Sequence, residues 1–308
     1  MAAPDFSLSP AGHVARMLVL DAATVETSAA LRRAGVESIL LKGPSIARWI
    51  YSDDELRTYS DIDLLVAPGD IRRSLRILRG LGFERVHSDA HADLLVRASD
   101  HVMADLHRML VGVQVRPEEA WGELVRETET LQLRGGEVTV LSPAARALHI
   151  VLHAAQHGAR DAKPLEDLDQ ALKRLPQGVW MEAAALAGRL HSEAAFLTGL
   201  RLVPAGEELA RGAGLPEAQS FEAALRAETA PPTALGLYRF MKTPGAGPKA
   251  QLLAGELFPS AAFMRAWTPM ARRGKAGLAV AYVWRPVWLV LRLGPALRAW
   301  QRARRAAR

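Results

Sequence analysis

The sequence contains no cysteine, which excludes a disulfide framework, a thiolate metal site and a cysteine nucleophile. The absence also fits a reducing cytoplasm. The opening residues, MAAPDFSLSP, lack the basic region and the unbroken apolar core of a secretory signal peptide. No stretch provides the roughly 18 consecutive apolar residues of a membrane span. We therefore expect a cytoplasmic protein, with membrane association left open by the C-terminal segment described below.

Acidic residues are absent from segment 271–308, which carries ten arginines and lysines. The formal net charge of the chain is +6, so subtracting the +10 of this segment leaves about −4 on residues 1–270. The basicity belongs to one segment and does not indicate that the whole protein binds nucleic acid. With 308 residues, 49% hydrophobic and 23% charged, the chain can form one large or two modest domains, which excludes disordered and collagen-like classes.

The periodicity of apolar residues predicts an α/β first half. Helical spacing over residues 12–34 predicts one or two packing helices that end before Gly35. Further helices are predicted to begin near Ser45 and after Pro68, the second ending at Gly80. Short apolar runs predict strands, and turn residues between paired runs predict hairpins. The predicted strands are residues 38–41, 60–66, 93–98, 101–106 and the two arms of 130–141, which turn at Gly135-Gly136.

The composition changes at Ser142. Ser142-Pro143 is a helix N-cap followed by proline at the first helical position, and alanine and leucine then dominate through about Leu209. The second half is therefore predicted to be mostly helical. We expect four regions, which are an N-terminal helical segment (1–34), an α/β domain (35–141), a helical domain (142–270) and a basic amphipathic tail (271–308).

Two aspartates, Asp61 and Asp63, stand two positions apart on the second predicted strand. Residues two apart on a strand project from the same face, while Ile62 and Leu64 point to the core. Two neighbouring carboxylates repel each other and usually need a cation between them. Ligation by oxygen alone favours Mg²⁺ or Mn²⁺ over zinc. The alternative from these residues alone is a solvated edge strand that carries two acids.

Around these aspartates the chain resembles the nucleotidyltransferase superfamily with the DNA polymerase β-like palm. The superfamily signature is a Gly-Ser turn at the start of a helix, Asp-x-Asp on the next strand and a third carboxylate on a later strand. The motifs LKG, R, SDIDLLV and DLH between Leu41 and His107 resemble more closely an uncharacterised bacterial nucleotidyltransferase-like family. The resemblance covers about residues 30–210. It implies an α/β palm domain with a mixed β-sheet, followed by a mostly α-helical domain.

Carried over position by position, the resemblance implies roles for the motif residues. The implied catalytic and metal-ligating carboxylates are Asp61, Asp63 and Asp105. The implied nucleotide-binding residues are Lys42, Gly43, Ser45 and Arg57. Gly43 would let the backbone approach the phosphates, while Lys42 and Arg57 would supply counter-charge. For Asp105, an exposed strand position without a role is the alternative.

The activity implied is the Mg²⁺- or Mn²⁺-dependent transfer of a nucleoside monophosphate from a nucleoside triphosphate to a hydroxyl-type acceptor. The acceptor would be a small molecule, a peptide or a protein. Members of the closer family often resemble accessory enzymes of peptide natural-product pathways, which makes a modified peptide a candidate. The chain departs from the signature because Pro44 separates Gly43 from Ser45 and removes an amide donor. A catalytically degenerate binding module with the same fold is therefore an alternative.

Three histidines recur at every fourth position of the helix after Ser142 and share one of its faces. Histidines at i and i+4 can share a metal, so a histidine- and aspartate-based metal-dependent hydrolase is a further alternative. The row His149, His153 and His157 spans about 12 Å at about 1.5 Å per residue, too long for one ion. Packing against a neighbouring domain or a polar cleft wall is the other interpretation. The candidates for acceptor contact or general base are His107, His153, His157 and Asp167.

Tyrosine, tryptophans and arginines are interleaved with leucine and valine in residues 276–300, which Pro286 and Pro295 interrupt. Aromatic and basic side chains beside leucine suit the headgroup boundary of an anionic membrane, so this tail predicts peripheral membrane contact. The alternatives are an amphipathic helix docked on the protein and a nucleic-acid-binding segment. Nucleic acid is disfavoured because apolar residues outnumber basic ones in this stretch.

Overall fold

The computed structural model describes residues 9–52, 54–88, 91–212, 225, 232–259 and 261–306. The described residues group into two compact units. The first, called here the sheet unit, lies within residues 6–156 and 161–215. The second, called the C-terminal unit, lies within residues 157–160 and 216–308. The sequence-based domain boundaries after residues 34, 141 and 270 stay a prediction.

The sheet unit is built on a mixed sheet, as the family resemblance implies, and this sheet has seven strands. Its strands are β1 (Ser38–Leu40), β2 (Asp61–Val66), β3 (Phe83–Ser88), β4 (Ala92–Arg97), β5 (Val102–His107), β6 (Thr128–Leu133) and β7 (Gly136–Leu141). They lie in the order β3-β4-β5-β2-β1-β7-β6. The pairs β2/β5 and β1/β7 are parallel, and all other neighbouring pairs are antiparallel. The α/β class is therefore confirmed.

Helices pack on both faces of this sheet. They are α1 (Pro10–Arg33), α2 (Pro44–Ile50), α3 (Ile71–Gly80), α4 (Pro117–Leu124), α5 (Pro143–His157), α6 (Ala162–Arg174), α7 (Gln177–Arg189), α8 (Glu193–Leu200) and α9 (Pro204–Gly212). One buried cluster joins α1 and α3 to the sheet through residues such as Leu40, Ile62 and Leu64. A second cluster joins α5–α9 to it through Ile39 and Leu65. Neighbouring strand residues thus belong to opposite cores, as strand alternation requires.

Most of the predicted elements are confirmed, including the two hairpins β4/β5 and β6/β7. The predicted N-cap also forms, since Ser142 Oγ accepts a hydrogen bond from the Ala145 amide at 3.4 Å. Strand β3 and helix α4 were not anticipated. Strand β3 is an edge strand with one fully buried side chain, Phe83, so its sequence FERVHS shows little alternation of apolar and polar residues. Helix α4 spans only eight residues and buries two of them, Ala120 and Leu124.

The C-terminal unit is helical in its described part. Its helices are α10 (Pro232–Lys242), α11 (Ala246–Leu257), α12 (Ala261–Trp267), α13 (Gly274–Leu291) and α14 (Leu293–Ala306), with a 3₁₀ turn at Pro269–Arg272. The stretch 274–305 is long and apolar enough to cross a membrane by length and composition. The expectation that no stretch meets this criterion was therefore wrong. A count of consecutive apolar residues stops at each arginine, whereas an average over a helix tolerates one or two charges.

Candidate active site

The candidate site lies where strands β2 and β5 run side by side. Their parallel register sets Asp63 directly opposite Asp105, with Ile62 opposite Ala104 in the preceding pair. Ile62 and Ala104 are buried in the core beneath α1 and α3. Alternation therefore sends Asp63 and Asp105 to the opposite face, which α5–α9 cover elsewhere on the sheet. Asp61 and His107 are two positions away on the same strands and share this face.

Asp63 is the centre of a compact charged cluster. Its side chain is 2% exposed. Lys42 lies two residues after the end of β1, and its Nζ is 2.7 Å from Asp63 Oδ1. His107 places Nε2 3.0 Å from the same oxygen. One carboxylate oxygen is thus shared by an ammonium group and an imidazole ring, in a region that excludes most water.

The pKa values of the cluster follow from burial and from these neighbours. Burial by itself raises the pKa of Asp63, but the Lys42 ammonium and the His107 ring hold that pKa well below its usual range. Burial together with the Asp63 charge raises the pKa of Asp105 to about 6. Burial and Asp63 likewise raise the pKa of Asp61. Burial lowers the pKa of Lys42, but the charges of Asp63 and Asp61 outweigh that effect and raise it.

The donor atoms of this cluster suit a divalent cation. Within the described part of the chain, the group of side chains close enough to hold a metal ion is Asp63, Asp105 and His107, whose ligand atoms all lie within 4.8 Å of one another. Two carboxylates and an imidazole fit Mn²⁺, and the carboxylates alone fit Mg²⁺. Asp61, which the sequence analysis counted among the ligands, lies outside this group. His107, predicted as an acceptor or base candidate, lies inside it.

The turn between β1 and α2 is stabilised by backbone hydrogen bonds to the Gly43 carbonyl. Gly43 is the N-cap of α2, with φ of +62° and ψ of −124°, and no side chain within the described ranges caps the helix. The carbonyl of Gly43 accepts the amides of Ile46 and Ala47 at 3.2 and 3.0 Å. Ser45 is 1% exposed, and its hydroxyl has no hydrogen-bond partner among the residues that the structure describes. The predicted phosphate contacts Gly43 and Ser45 therefore lie beside Lys42, with the Ser45 hydroxyl buried beneath the turn.

Replacing Gly43 by alanine is expected to lower the free energy of unfolding by about 1–3 kcal/mol, because a side chain strains this backbone conformation. Space is not the cause, since an added Cβ would lie 3.5 Å from the nearest atom of Tyr59. Urea denaturation measures the change. Gly122 within α4 is the matched control because, outside its own helix turn, no atom of the described residues lies within 4 Å of an added Cβ there. Gly122→Ala is expected to leave the free energy of unfolding unchanged or to raise it by up to about 1 kcal/mol. Equal losses of stability in the two variants would contradict the assignment of a strained backbone conformation to Gly43.

Arg57 and Asp167 are brought together by the fold. The guanidinium contacts both Asp167 oxygens at 2.6 Å, and the two side chains are 5% and 1% exposed. The Tyr51 hydroxyl donates to Asp167 Oδ1 at 2.8 Å, and Arg57 Nη1 donates to the Gly43 carbonyl at 3.4 Å. The predicted phosphate counter-charge and the predicted general base thus bind each other. In this arrangement the pair joins the Gly43 turn to α6.

The histidines of α5 do not form a metal-binding group with one another among the described residues. His149 is buried, and burial together with the Lys42 charge lowers its pKa to about 3, so its ring is neutral. Its ring centroid is 6.2 Å from that of His153, which is half-buried. His157 is exposed at the last position of α5.

The sequence analysis did not associate Lys163 or His149 with the cluster around Asp63, whereas the structure places both close enough for their charges and pKa values to be linked to it. Burial and the Arg57 charge lower the pKa of Lys163 on α6, and the Lys163 charge in turn acts on Asp61. His149 was assigned to the histidine row, yet its pKa responds to Lys42, Asp63 and His107. Nothing in the sequence signals either association, because Lys163 is 102 positions from Asp61 and His149 is 107 positions from Lys42.

Comparisons with known proteins give one family match. A family model described as "Uncharacterised nucleotidyltransferase" matches residues 7–205. No curated protein sequence matches the chain significantly.

Several solved structures are similar to the chain at low identity. The antibiotic-resistance factor ANT(2'')-Ia in solution has 18% identity and a TM-score of 0.42, and the match covers 57% of this chain and 94% of that one. An antigenic nucleotidyltransferase-like protein from Paracoccidioides brasiliensis has 16% identity and a TM-score of 0.35, covering 58% and 94%. The lincomycin-bound lincosamide antibiotic adenylyltransferase LnuA has 15% identity and a TM-score of 0.33, covering 46% and 88%.

Proposed function

The chain belongs to the nucleotidyltransferase family whose model matches residues 7–205, and on this premise we propose that it transfers a nucleoside monophosphate from a nucleoside triphosphate to an acceptor hydroxyl. In this reaction the acceptor oxygen bonds to the α-phosphorus, the bond from that phosphorus to the bridging oxygen breaks, and pyrophosphate leaves. The hydroxyl proton passes to a base. The observation that carries the proposal is the register that sets Asp63 opposite Asp105.

Asp63, Asp105 and His107 are the proposed ligands of a divalent ion, Mg²⁺ or Mn²⁺, because their donor atoms already lie within 4.8 Å of one another. Such an ion would neutralise polyphosphate charge and hold reacting oxygens in place. Asp61, half-buried on the same strand face, is proposed to complete the set on the side nearer Lys163. Among the described residues, Lys42 is the lysine or arginine that contacts this concentration of negative charge directly, through Asp63.

Lys42 and Lys163 are the proposed counter-charges for the phosphates. Lys42 contacts Asp63, and Lys163 is exposed and influenced by both Asp61 and Lys42. Arg57 is proposed instead to position the turn at Gly43, because its Nε and Nη2 donate to the two oxygens of Asp167 while its Nη1 donates to the Gly43 carbonyl. Bidentate pairing with a carboxylate uses the same geometry that would otherwise bind phosphate.

The proposed acceptor is a small molecule or a peptide that bears a hydroxyl group, and a modified peptide of a natural-product pathway is the candidate that the family resemblance suggests. Among similar proteins, the ANT(2'')-Ia crystal structure holds adenylyl-2''-tobramycin and LnuA holds lincomycin. A panel of hydroxylated peptides and aminoglycosides, each incubated with the enzyme and radiolabelled nucleoside triphosphate, tests the acceptor class. Label on no member of the panel would contradict this choice.

Label transfer from ATP, CTP, GTP and UTP, each labelled in turn at the α- and γ-phosphate, tests the reaction itself. We expect α-label on the acceptor and γ-label only in pyrophosphate. Transfer of γ-label would identify a kinase instead. Calorimetric titration with each nucleotide and Mg²⁺ accompanies it, and the absence of heat with all four would identify a binding module without nucleotide affinity.

Removal of the Lys42 charge is expected to strengthen divalent-ion binding. The ammonium 2.7 Å from Asp63 Oδ1 competes with any cation for that oxygen. Because two unit charges about 4 Å apart interact by about 4 kcal/mol at an effective dielectric constant of about 20, Lys42→Met should bind Mn²⁺ about tenfold or more tightly. Titration followed by electron paramagnetic resonance, without nucleotide, measures the dissociation constant.

Lys163→Met is the matched control for this prediction. Its ammonium influences Asp61 but forms no ion pair with Asp63 in the described chain, and its side chain is open to water on one side although neighbouring residues bury it enough to lower its pKa. The dissociation constant for Mn²⁺ should therefore change by less than about threefold. Unchanged or weaker binding by a folded Lys42→Met variant would show that Lys42 does not compete for the cation site.

A further inference from the structure

Helix α13 carries an unusually exposed apolar face. The residues on it are spaced by three and four, so they form one stripe along the helix. The stripe is Val280, Val283, Trp284, Val287, Val290 and Leu291, whose exposed fractions run from 42% at Trp284 to 75% at Val283. Leu293 and Leu297 on α14 are also exposed. Within the described residues nothing covers this stripe.

The opposite face of α13 packs against the other helices of the C-terminal unit. Ala281 is fully buried in a cluster with Met264 and Ala271. Arg285 is 5% exposed, and its Nε donates to the Glu256 carbonyl at 2.6 Å. The Tyr282 hydroxyl donates to the Pro259 carbonyl at 2.6 Å. These contacts orient α13, so the stripe faces outward as a consequence of packing on the other side.

Positive charge surrounds the stripe. No acidic residue occurs in 271–308. The exposed basic residues are Arg272, Arg273 and Lys275 before the stripe, and Arg292, Arg298, Arg302, Arg304 and Arg305 after it. Basic residues near an apolar helical face that includes tryptophan are complementary to anionic headgroups above an acyl layer.

We propose that α13 and the start of α14 dock in the plane of an anionic lipid bilayer, with the stripe in the boundary between headgroups and acyl chains. A transmembrane orientation is disfavoured although the length suffices. A spanning helix would have to leave the contacts of Arg285 with Glu256 and of Tyr282 with Pro259, and would place Arg285 in hydrocarbon. Nucleic acid is disfavoured because the exposed stripe is apolar, whereas phosphate contacts need basic and polar side chains.

Flotation of the full chain with vesicles tests this proposal. With vesicles of phosphatidylcholine and phosphatidylglycerol at about 0.1 M salt, where charges act over about 10 Å, we expect the protein in the floating fraction. With phosphatidylcholine alone, the bound fraction should fall about tenfold because the electrostatic attraction is lost. Protein that stays at the bottom with the anionic vesicles overturns the proposal.

Two double variants test whether vesicle binding depends on the stripe or on any exposed apolar side chains. Val283→Asp/Val287→Asp places two carboxylates in the stripe and should weaken vesicle binding about tenfold or more. Val14→Asp/Leu18→Asp is the matched control, since these residues of α1 are 44% and 47% exposed. It should float as the unaltered chain does. Equal binding by all three proteins overturns the proposal, and circular dichroism checks that each variant is helical.

Two further results would contradict the in-plane orientation. Vesicle-bound protein that resists extraction by alkaline carbonate would identify a spanning helix. Retention on duplex DNA or on RNA, together with failure to float, would identify a nucleic-acid-binding segment. The proposal is independent of nucleotidyl transfer, because none of its residues belongs to the cluster around Asp63.

Discussion

Asp63→Asn is expected to reduce nucleotidyl transfer about 10³-fold or more, because the change removes the charge on which the proposed cation site depends while preserving side-chain shape. Asp63 contacts Lys42 and His107 and lies opposite Asp105, so it stands at the centre of the proposed cation site. The measurement is the initial rate of α-label transfer with saturating nucleotide. The free energy of unfolding should change by no more than about 2 kcal/mol, because the lost ion pair is offset by less repulsion among the carboxylates.

Asp93→Asn is the matched control. Asp93 on strand β4 is also a buried, ion-paired carboxylate. It is 1% exposed and contacts Arg85 of β3 and Arg108, which follows β5. Asp93 pairs with Leu106, whose side chain is in the core beneath α1 and α3, so Asp93 lies on the face of the sheet opposite to that of Asp63. Loss of stability is expected there, but the transfer rate per folded molecule should stay within about twofold of the unaltered enzyme. Normal turnover by folded Asp63→Asn would refute the catalytic assignment.

Arg57→Met is expected to lower the free energy of unfolding by about 3–5 kcal/mol, because it leaves the Asp167 carboxylate buried without its counter-charge. The pair has two contacts of 2.6 Å, and both side chains are almost completely buried. Among the described residues, the Tyr51 hydroxyl would then be the remaining polar partner of Asp167 Oδ1. Urea denaturation followed by circular dichroism measures the change.

The double variant Arg57→Met/Asp167→Leu should recover most of that loss, since neither charge is then left alone. The exposed pair Arg174 and Glu55 is the matched control because its side chains are 38% and 34% exposed. Arg174→Met should cost only about 0–1 kcal/mol. Equal costs for the two single arginine variants would contradict the assignment of Arg57 as a buried structural residue.

The double variant also distinguishes two roles for Arg57. If the side chain positions the Gly43 turn, the KM for the nucleotide should change by less than about threefold once the fold is restored. If Arg57 is a phosphate counter-charge, as the sequence resemblance implies, the KM should rise by about tenfold or more because a charge-assisted contact is lost. We expect the smaller change, since Asp167 binds the guanidinium from α6.

Local periodicity was sufficient for much of the fold. Strand alternation at Asp61–Val66 predicts a shared face for Asp61 and Asp63, and the structure has that strand with Ile62 and Leu64 in the opposite core. The turn residues at 135–136 and the N-cap at Ser142 were predicted for the same reason. These features depend on residues within a few positions of one another. Strand β3 was missed because an edge strand with one buried side chain lacks that alternation.

The sequence by itself determined the α/β class, the strand that carries Asp61 and Asp63, and the strand that carries Asp105, because side-chain periodicity reports which face of an element is buried. Only the tertiary structure decided that Lys42 and His107 share one oxygen of Asp63 and that Arg57 binds Asp167. These contacts depend on the order of strands in the sheet and on where α6 packs. Residues 21 to 110 positions apart in the chain meet through packing that no local pattern encodes.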